Sequence, residues 1–258
     1  MIHERETEFR RRKFAQIVAS APADHARPTA PYAGEAAPRR SEILEVLGQF
    51  RASQDLESFR KTMHSYSSVA AFNGAFSGFN FGVAMFLNSL VKKVDDNAVL
   101  GALLLETIEV PESDQQADAK LATLVEQVEL VKEGGAPAPK SAAIFCSFFW
   151  WLQARDTWPF LRPAVEDAVE ALGWLPKDLD PVGRYRQYRF LIRSLSTPNA
   201  SGAPEPDDIP PASIDAASIA DVDEALTWFN EHQWIGLDEA LGDRLQWAHE
   251  LYEQRVDG

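Results

Sequence analysis

Four arginines between residues 182 and 195 are the side chains whose type and spacing are best suited to bind a charged ligand. They are Arg184, Arg186, Arg189 and Arg193. The last three share one face of a predicted helix, because residues about one or two turns apart lie above one another. Such a stripe can follow phosphates or bind an acidic partner, or it can pair with acidic neighbours such as the carboxyl-rich C-terminal region. These four arginines and Trp158 form the candidate binding site.

Outside this stripe, the sequence offers no recognisable catalytic or metal-binding motif. It lacks a GxxxxGK[ST] phosphate-binding loop, and its histidines do not have the spacing of metal ligands. Ser77 lies one position away from a nucleophile elbow and follows no predicted strand, so we interpret it as a loop residue. Cys146 has apolar and aromatic neighbours and is predicted to lie in the core. We therefore expect a protein that is not an enzyme, with no catalytic residue, no metal and no cofactor.

The net charge of −14 is unevenly distributed along the chain. Residues 1–40 are net basic at +3, residues 41–198 carry −5, and residues 199–258 carry −12. The overall acidity argues against nucleic-acid binding through the whole surface, but a contact with a polyanion at one local face stays open. The single cysteine excludes an internal disulfide and favours a cytoplasmic protein.

Helical spacing of apolar residues predicts the architecture. Residues 1–40 are expected to form a charged helix and a Pro/Ala-rich, flexible linker, and residues 41–258 a single helical domain with a proline-rich loop at 197–213. Strand-like alternation is scarce, so the fold class is all-α, with about eight helices and a large aromatic core. The first two predicted helices start at Ser41 and Ser53. The later ones cover Val83–Val91, Asn97–Val110, Ser113–Glu133, Ser141–Ala154, Pro163–Leu172, Val182–Leu195, Ile219–His232 and Leu237–Val256.

A segment without charged residues, 62–91, suggests a second interpretation. Its glycines at 74, 78 and 82 follow the small-residue spacing that suits packing between membrane helices. A membrane-active effector is therefore the alternative function. We favour a glycine-rich loop followed by a buried helix, because Asn73, Asn80 and Asn88 would be costly in a bilayer, and we do not expect a membrane partner.

Residues 140–175 resemble a known module. The order is a Pro-Ala-Pro turn, the run Ala-Ile-Phe-Cys-Ser-Phe-Phe-Trp-Trp-Leu-Gln, then Asp-Thr-Trp-Pro at 156–159 and Leu-Gly-Trp-Leu at 172–175. It is similar to the helical N-terminal module that precedes the AAA+ motor in some McrB-like restriction ATPases. The segments 85–91, 134–137, 185–190 and 222–228 fit the same family, so the resemblance spans roughly residues 70–235.

The resemblance implies a recognition or adaptor module of a prokaryotic restriction or anti-phage defence system. Motor and nuclease motifs of that family are missing from this sequence, which leaves two alternatives: a fragment of a longer protein, or a stand-alone version that works with separate partners. An AAA+ ATPase or nuclease subunit is the expected partner. DNA binding is the other expectation, with the Arg184–Arg193 stripe, Trp158 and the nearby loops as the contact surface.

Overall fold

The computed structural model describes residues 33–76, 79–132, 134 and 136–196, together with residues 7, 9–11, 13, 14, 219, 222, 225 and 226. These residues form helices and connecting loops without a β-strand, which confirms the all-α prediction. One π-helical segment at Phe79–Ala84 separates α3 from α4. The nine α-helices described are α1 Ala33–Ser53, α2 Leu56–Tyr66, α3 Ala70–Ala75, α4 Met85–Val91, α5 Asn97–Ile108, α6 Asp114–Val131, α7 Lys140–Gln153, α8 Pro163–Ala171 and α9 Pro181–Ser196.

Short polar side chains fix where several helices begin. The carboxylate of Asp55 accepts a hydrogen bond from the backbone of Ser58 at the start of α2, and Asp96 does the same for two backbone groups at the start of α5. The hydroxyl of Ser113 caps α6. Each cap accepts hydrogen bonds from backbone N–H groups in the first turn of the helix, which have no acceptor within the helix itself.

The end of α5 shows how sequence and packing combine. Pro111 has no backbone N–H, so the carbonyl of Thr107 loses its ordinary partner four residues later. The indole Nε1 of Trp150 donates to that carbonyl at 2.9 Å, and Gln153 Nε2 donates to the carbonyl of Ile108 at 2.8 Å. The C-terminal carbonyls of α5 thus accept hydrogen bonds from side chains of α7, and one buried and one partly buried hydrogen bond join the two helices.

Helix α7 lies at the centre of the core. It contacts α1, α4, α5, α6, α9 and the π-helical segment. Its fully buried rings pack against aromatic residues from other elements at ring-centroid distances of 5.2–6.0 Å, in edge-to-face or tilted arrangements, which aromatic quadrupoles favour. The large aromatic core expected from the sequence is confirmed.

The uncharged segment 62–91 contributes to this core. Several of its large apolar side chains, among them Phe76, Phe79 and Leu87, are fully buried. Asn88 is also buried, and its Oδ1 accepts a hydrogen bond from Arg60 Nη1 at 2.5 Å. The expected glycine-rich loop is in part helical, because residues 70–75 form α3 and residues 79–84 form the π-helix.

Among the residues that the structure describes, none of the helices combines the length and apolar character needed to span a membrane.

Helix α1 begins at Ala33, inside the stretch predicted to be linker, and it contains Pro38. The prediction gave too much weight to proline and too little to alanine, which has the highest helix propensity. Two side chains from the same stretch make tertiary contacts: the Arg39 guanidinium lies 5.3 Å from the centre of the Phe72 ring, and Arg40 donates to the carbonyl of Leu152 at 2.7 Å. These contacts anchor the C-terminal end of the predicted linker, at Arg39 and Arg40, to the domain.

Both ends of the chain contribute buried side chains. Phe14, in the predicted leader, is buried in the core. Towards the other end, three residues are both helical and buried: Ile219, Val222 and Leu226. All three lie in the predicted helix Ile219–His232, in which we expect apolar residues at this spacing to face the core. The predicted loop 197–213 and the predicted helix Leu237–Val256 lie outside the described residues.

Candidate functional site

Helix α9 positions the arginine stripe. Asp180 precedes it and accepts hydrogen bonds from the backbone N–H groups of Val182 and Gly183, each at 2.9 Å. The inner face of α9 is buried, and two of its tyrosines, Tyr185 and Tyr188, donate to the carbonyls of Pro159 and Phe160. Burial raises the pKa of the Tyr185 hydroxyl, so it remains a donor in this bond. The tyrosines therefore fix the loop that carries Trp158 against the arginine-bearing helix.

Trp158 lies beneath two of the predicted arginines. The guanidinium carbons of Arg189 and Arg193 lie 5.4 Å and 4.9 Å from the centre of its ring. Arg193 also donates to the carbonyl of Thr157, from Nη2 at 3.0 Å. Trp158 is only 2% exposed, so the indole supports the guanidinium groups by cation–π contact and is itself covered.

The N-terminal turns of α6 supply carboxylates to the stripe. Arg193 Nη1 lies 2.8 Å from Asp114 Oδ1, and Arg186 Nε lies 2.8 Å from Asp118 Oδ2. Arg189 lies between them and makes longer contacts to both, at 3.3 Å and 3.5 Å. Three of the four predicted arginines are thus brought together, and they face acidic residues of the same chain.

Arg184 lies apart from this group. It forms ion pairs with Glu166 and Glu170 of α8, and it donates to the carbonyl of Pro176 at 3.1 Å. Its side chain is mostly buried, as expected for an arginine that joins α9 to α8. Glu166 and Glu170 are therefore the partners of this cation.

The charge state of Asp114 follows from its surroundings. Partial burial on its own would raise the pKa of this carboxyl. The hydrogen bond from Arg193 and the positive charges of Arg189 and Arg193 outweigh that effect, and the pKa lies below its ordinary value. Asp114 is therefore a carboxylate at neutral pH, where it accepts a hydrogen bond from Arg193 and forms an ion pair with Arg189.

A shallow hollow of about 320 Å³ opens beside this group. It is lined by Asp114, Arg186, Arg189, Phe190, Arg193 and Ser194. Phe190 is 58% exposed, which is unusual for a phenylalanine on a helix whose tyrosine, leucine and isoleucine side chains are buried. It lies between Arg186 and Arg193 on the outer face of α9, since these residues are one turn before and after it.

Sequence reasoning missed Phe190 and the two aspartates. The signal for Phe190 was present: it falls outside the apolar stripe of Tyr185, Tyr188, Ile192 and Leu195 and on the side of the arginines. The signal for the aspartates was not, because α6 and α9 are far apart in sequence and only the fold brings their carboxylates to the stripe.

The remaining candidates for chemistry occupy other positions. Cys146 is fully buried on α7, and burial raises the pKa of its thiol, as expected for a core residue. In the part of the chain that the structure describes, no three His, Cys, Asp or Glu side chains are grouped closely enough to hold a metal ion. Ser77 lies outside the described residues.

Comparison of the chain with protein-family models, with curated proteins and with solved structures finds no match.

Proposed function

We propose that this chain is a recognition or adaptor module that binds an acidic segment of a protein partner at the outer face of α9. The observation that carries the proposal is an exposed phenylalanine, Phe190, placed between Arg186 and Arg193 at the mouth of a hollow. Aromatic residues and arginines are prominent among the residues that dominate the binding energy of protein interfaces. Side chains that are already held in place by a rigid support lose less conformational freedom on binding. The Trp158 indole and the Tyr185 hydrogen bond provide that support here.

Charge favours a protein partner over DNA. Each arginine near Phe190 already contacts Asp114 or Asp118, so phosphates along a duplex would meet carboxylates at the same surface. A DNA-binding face gains its affinity from a run of cationic side chains that release the counter-ions condensed on the DNA. The chain as a whole instead carries a net charge of −14. An exposed ring with a few arginines around it suits a short peptide with both apolar and acidic side chains.

The resemblance to the module of McrB-like ATPases supports placing this partner in a prokaryotic restriction or anti-phage defence system. The partner is then an AAA+ ATPase or a nuclease subunit that supplies the catalytic steps. This part of the proposal is supported if a neighbouring gene encodes an ATPase or a nuclease and that protein copurifies with this chain. Neighbouring genes of unrelated metabolism, with no copurifying motor, contradict it.

The binding surface is tested with a random 12-residue peptide library displayed on phage and selected on the intact chain. We expect enriched peptides to combine Asp or Glu with an apolar residue. Fluorescence anisotropy of the best synthetic peptide should show that Phe190→Ala weakens binding at least about tenfold, as at an interface hot spot. Leu130→Ala is the matched control, because Leu130 is an exposed apolar residue of α6 that is 80% exposed and outside the hollow.

The charged part of the surface is tested with Arg193→Glu against Lys61→Glu, which makes the same charge change on an exposed residue of α2. We expect only the first to abolish peptide binding. A 20-base-pair DNA duplex is measured in parallel at low and high salt. Tight, steeply salt-dependent DNA binding that Phe190→Ala leaves unchanged would overturn the protein-partner proposal in favour of DNA.

A further inference from the structure

Arg189 is unusual because its charged group is almost completely buried without being fully satisfied. Its side chain is 3% exposed, yet it contributes to the lining of the hollow. Its Nη1 donates no hydrogen bond to any residue that the structure describes. A buried, charged donor without an acceptor is costly, and native proteins keep such groups for a reason that can include a ligand.

The existing partners of Arg189 do not remove this cost. Its contacts with Asp114 and Asp118, at 3.3 Å and 3.5 Å, are longer than the 2.7–2.9 Å typical of a strong charge-assisted hydrogen bond. The aromatic faces of Trp158 and Tyr185 attract the guanidinium but accept no hydrogen bond from Nη1. Arg189 lines the hollow, although its Nη1 is covered. A ligand oxygen that enters from the hollow and displaces the atoms covering Nη1 would satisfy the group that the protein leaves unsatisfied.

We infer that the hollow between α6 and α9 is a subsite for a single carboxylate, which is bound by Arg189 together with Arg186 and Arg193. The inference rests on the proposed function, since the carboxylate would belong to an Asp or Glu side chain of the acidic partner, placed beside the Phe190 contact. Asp114 and Asp118 already occupy part of the hydrogen-bonding capacity of the three arginines. They therefore compete with the incoming carboxylate and set its affinity.

The charge of the group selects a carboxylate over a phosphate. Arg186, Arg189 and Arg193 with Asp114 and Asp118 carry a net charge of +1 at neutral pH. One carboxylate neutralises that charge. A phosphate monoester, with a charge close to −2 at this pH, would leave the group net negative and repel the two aspartates.

The test uses two small molecules that differ only at the side-chain terminus. N-acetylglutamic acid amide and N-acetylglutamine amide are titrated into the intact chain while the arginine side-chain NMR signals are followed. We expect the carboxylate to shift the Arg189 signals saturably and the amide to leave them unchanged. N-acetylphosphoserine amide should bind more weakly than the glutamate compound. Equal shifts with glutamate and glutamine, or tighter binding of phosphoserine, would overturn the carboxylate subsite.

Two variants test the roles of the residues. Arg189→Lys retains a cation but removes Nη1, and it should weaken glutamate binding at least about tenfold. Asp114→Asn removes the competing charge and should strengthen it at least about threefold. If Arg189→Lys does not fold, the Asp114→Asn result decides, and unchanged or weaker binding in that variant contradicts the inference.

The outcomes separate this inference from the proposed function. If peptide binding requires Phe190 but the glutamate compound does not shift Arg189, the subsite is wrong and the docking surface stands. If the glutamate compound binds at Arg189 but Phe190→Ala leaves peptide binding unchanged, the subsite stands and the docking surface is wrong.

Discussion

Replacing Gly82 by alanine tests whether the π-helical segment packs against α7 as closely as the structure shows. A Cβ atom added at Gly82 would lie 2.6 Å from Cγ2 of Ile144. Two carbon atoms prefer a separation of 3.5–4.0 Å, so the overlap is about 1 Å. Cγ2 belongs to a β-branched side chain with little freedom at χ1, which means that the backbone must move as well.

The expected magnitude follows from two opposing effects. Overpacking in a closely packed core costs about 1–3 kcal/mol, and alanine gains up to about 1 kcal/mol over glycine in a helix. We expect Gly82→Ala to lower the free energy of unfolding by about 1–2 kcal/mol. Gly48→Ala in α1 is the matched control, since nothing lies within 4 Å of its added Cβ, and it should raise the free energy of unfolding by about 0.5–1 kcal/mol.

Urea unfolding, followed by tryptophan fluorescence, measures both variants. A double-mutant cycle with Ile144→Ala identifies the cause, because that change removes the Cγ2 atom that the new methyl group meets. In the Ile144→Ala background, Gly82→Ala should cost nothing or stabilise the protein. A cost that is the same in both backgrounds within about 0.5 kcal/mol would refute the close contact between Gly82 and Ile144.

Three further predictions concern the core and its electrostatics. Trp150→Phe removes the donor to the Thr107 carbonyl and should lower the free energy of unfolding by about 1–3 kcal/mol in urea; a change below about 0.5 kcal/mol would contradict that bond. Hydrogen bonds from Arg60 lower the pKa of Glu57 to about 2, so its contribution to stability is complete above pH 4.5 and is lost as the pH falls towards 2. Glu57→Gln should therefore flatten the loss of stability between these pH values, and an unchanged acid profile would exclude the pair. Cys146 should react with a thiol reagent only after denaturation, because it is fully buried, and rapid labelling of the folded chain would contradict its position.

The helices could be predicted from the sequence because local rules decide them. Asp96, Ser113 and Pro163 are cap or first-turn residues, and each begins a helix close to its predicted position. The error at Ala33 arose where two local rules conflict, since an alanine-rich stretch favours a helix and a proline disfavours one. The contacts of Arg39 and Arg40 with distant parts of the chain resolve that conflict, and they are not visible in the local sequence.

The candidate site could be predicted only in part. Helical periodicity placed Arg186, Arg189 and Arg193 on one face, and the structure brings them together. It could not reveal that Arg184 turns to α8, since that depends on how two helices pack. Nor could it reveal that Trp158 lies beneath the arginines instead of beside them, because the loop that carries it is held by hydrogen bonds from the tyrosines of α9.

The central claim is that the outer face of α9 binds an acidic segment of a protein partner. The dissociation constant of the best selected acidic peptide for the wild-type chain, Phe190→Ala and Leu130→Ala tests it most directly. We predict that Phe190→Ala binds at least about tenfold more weakly and that Leu130→Ala binds like the wild type. Equal affinities for all three proteins would contradict the claim.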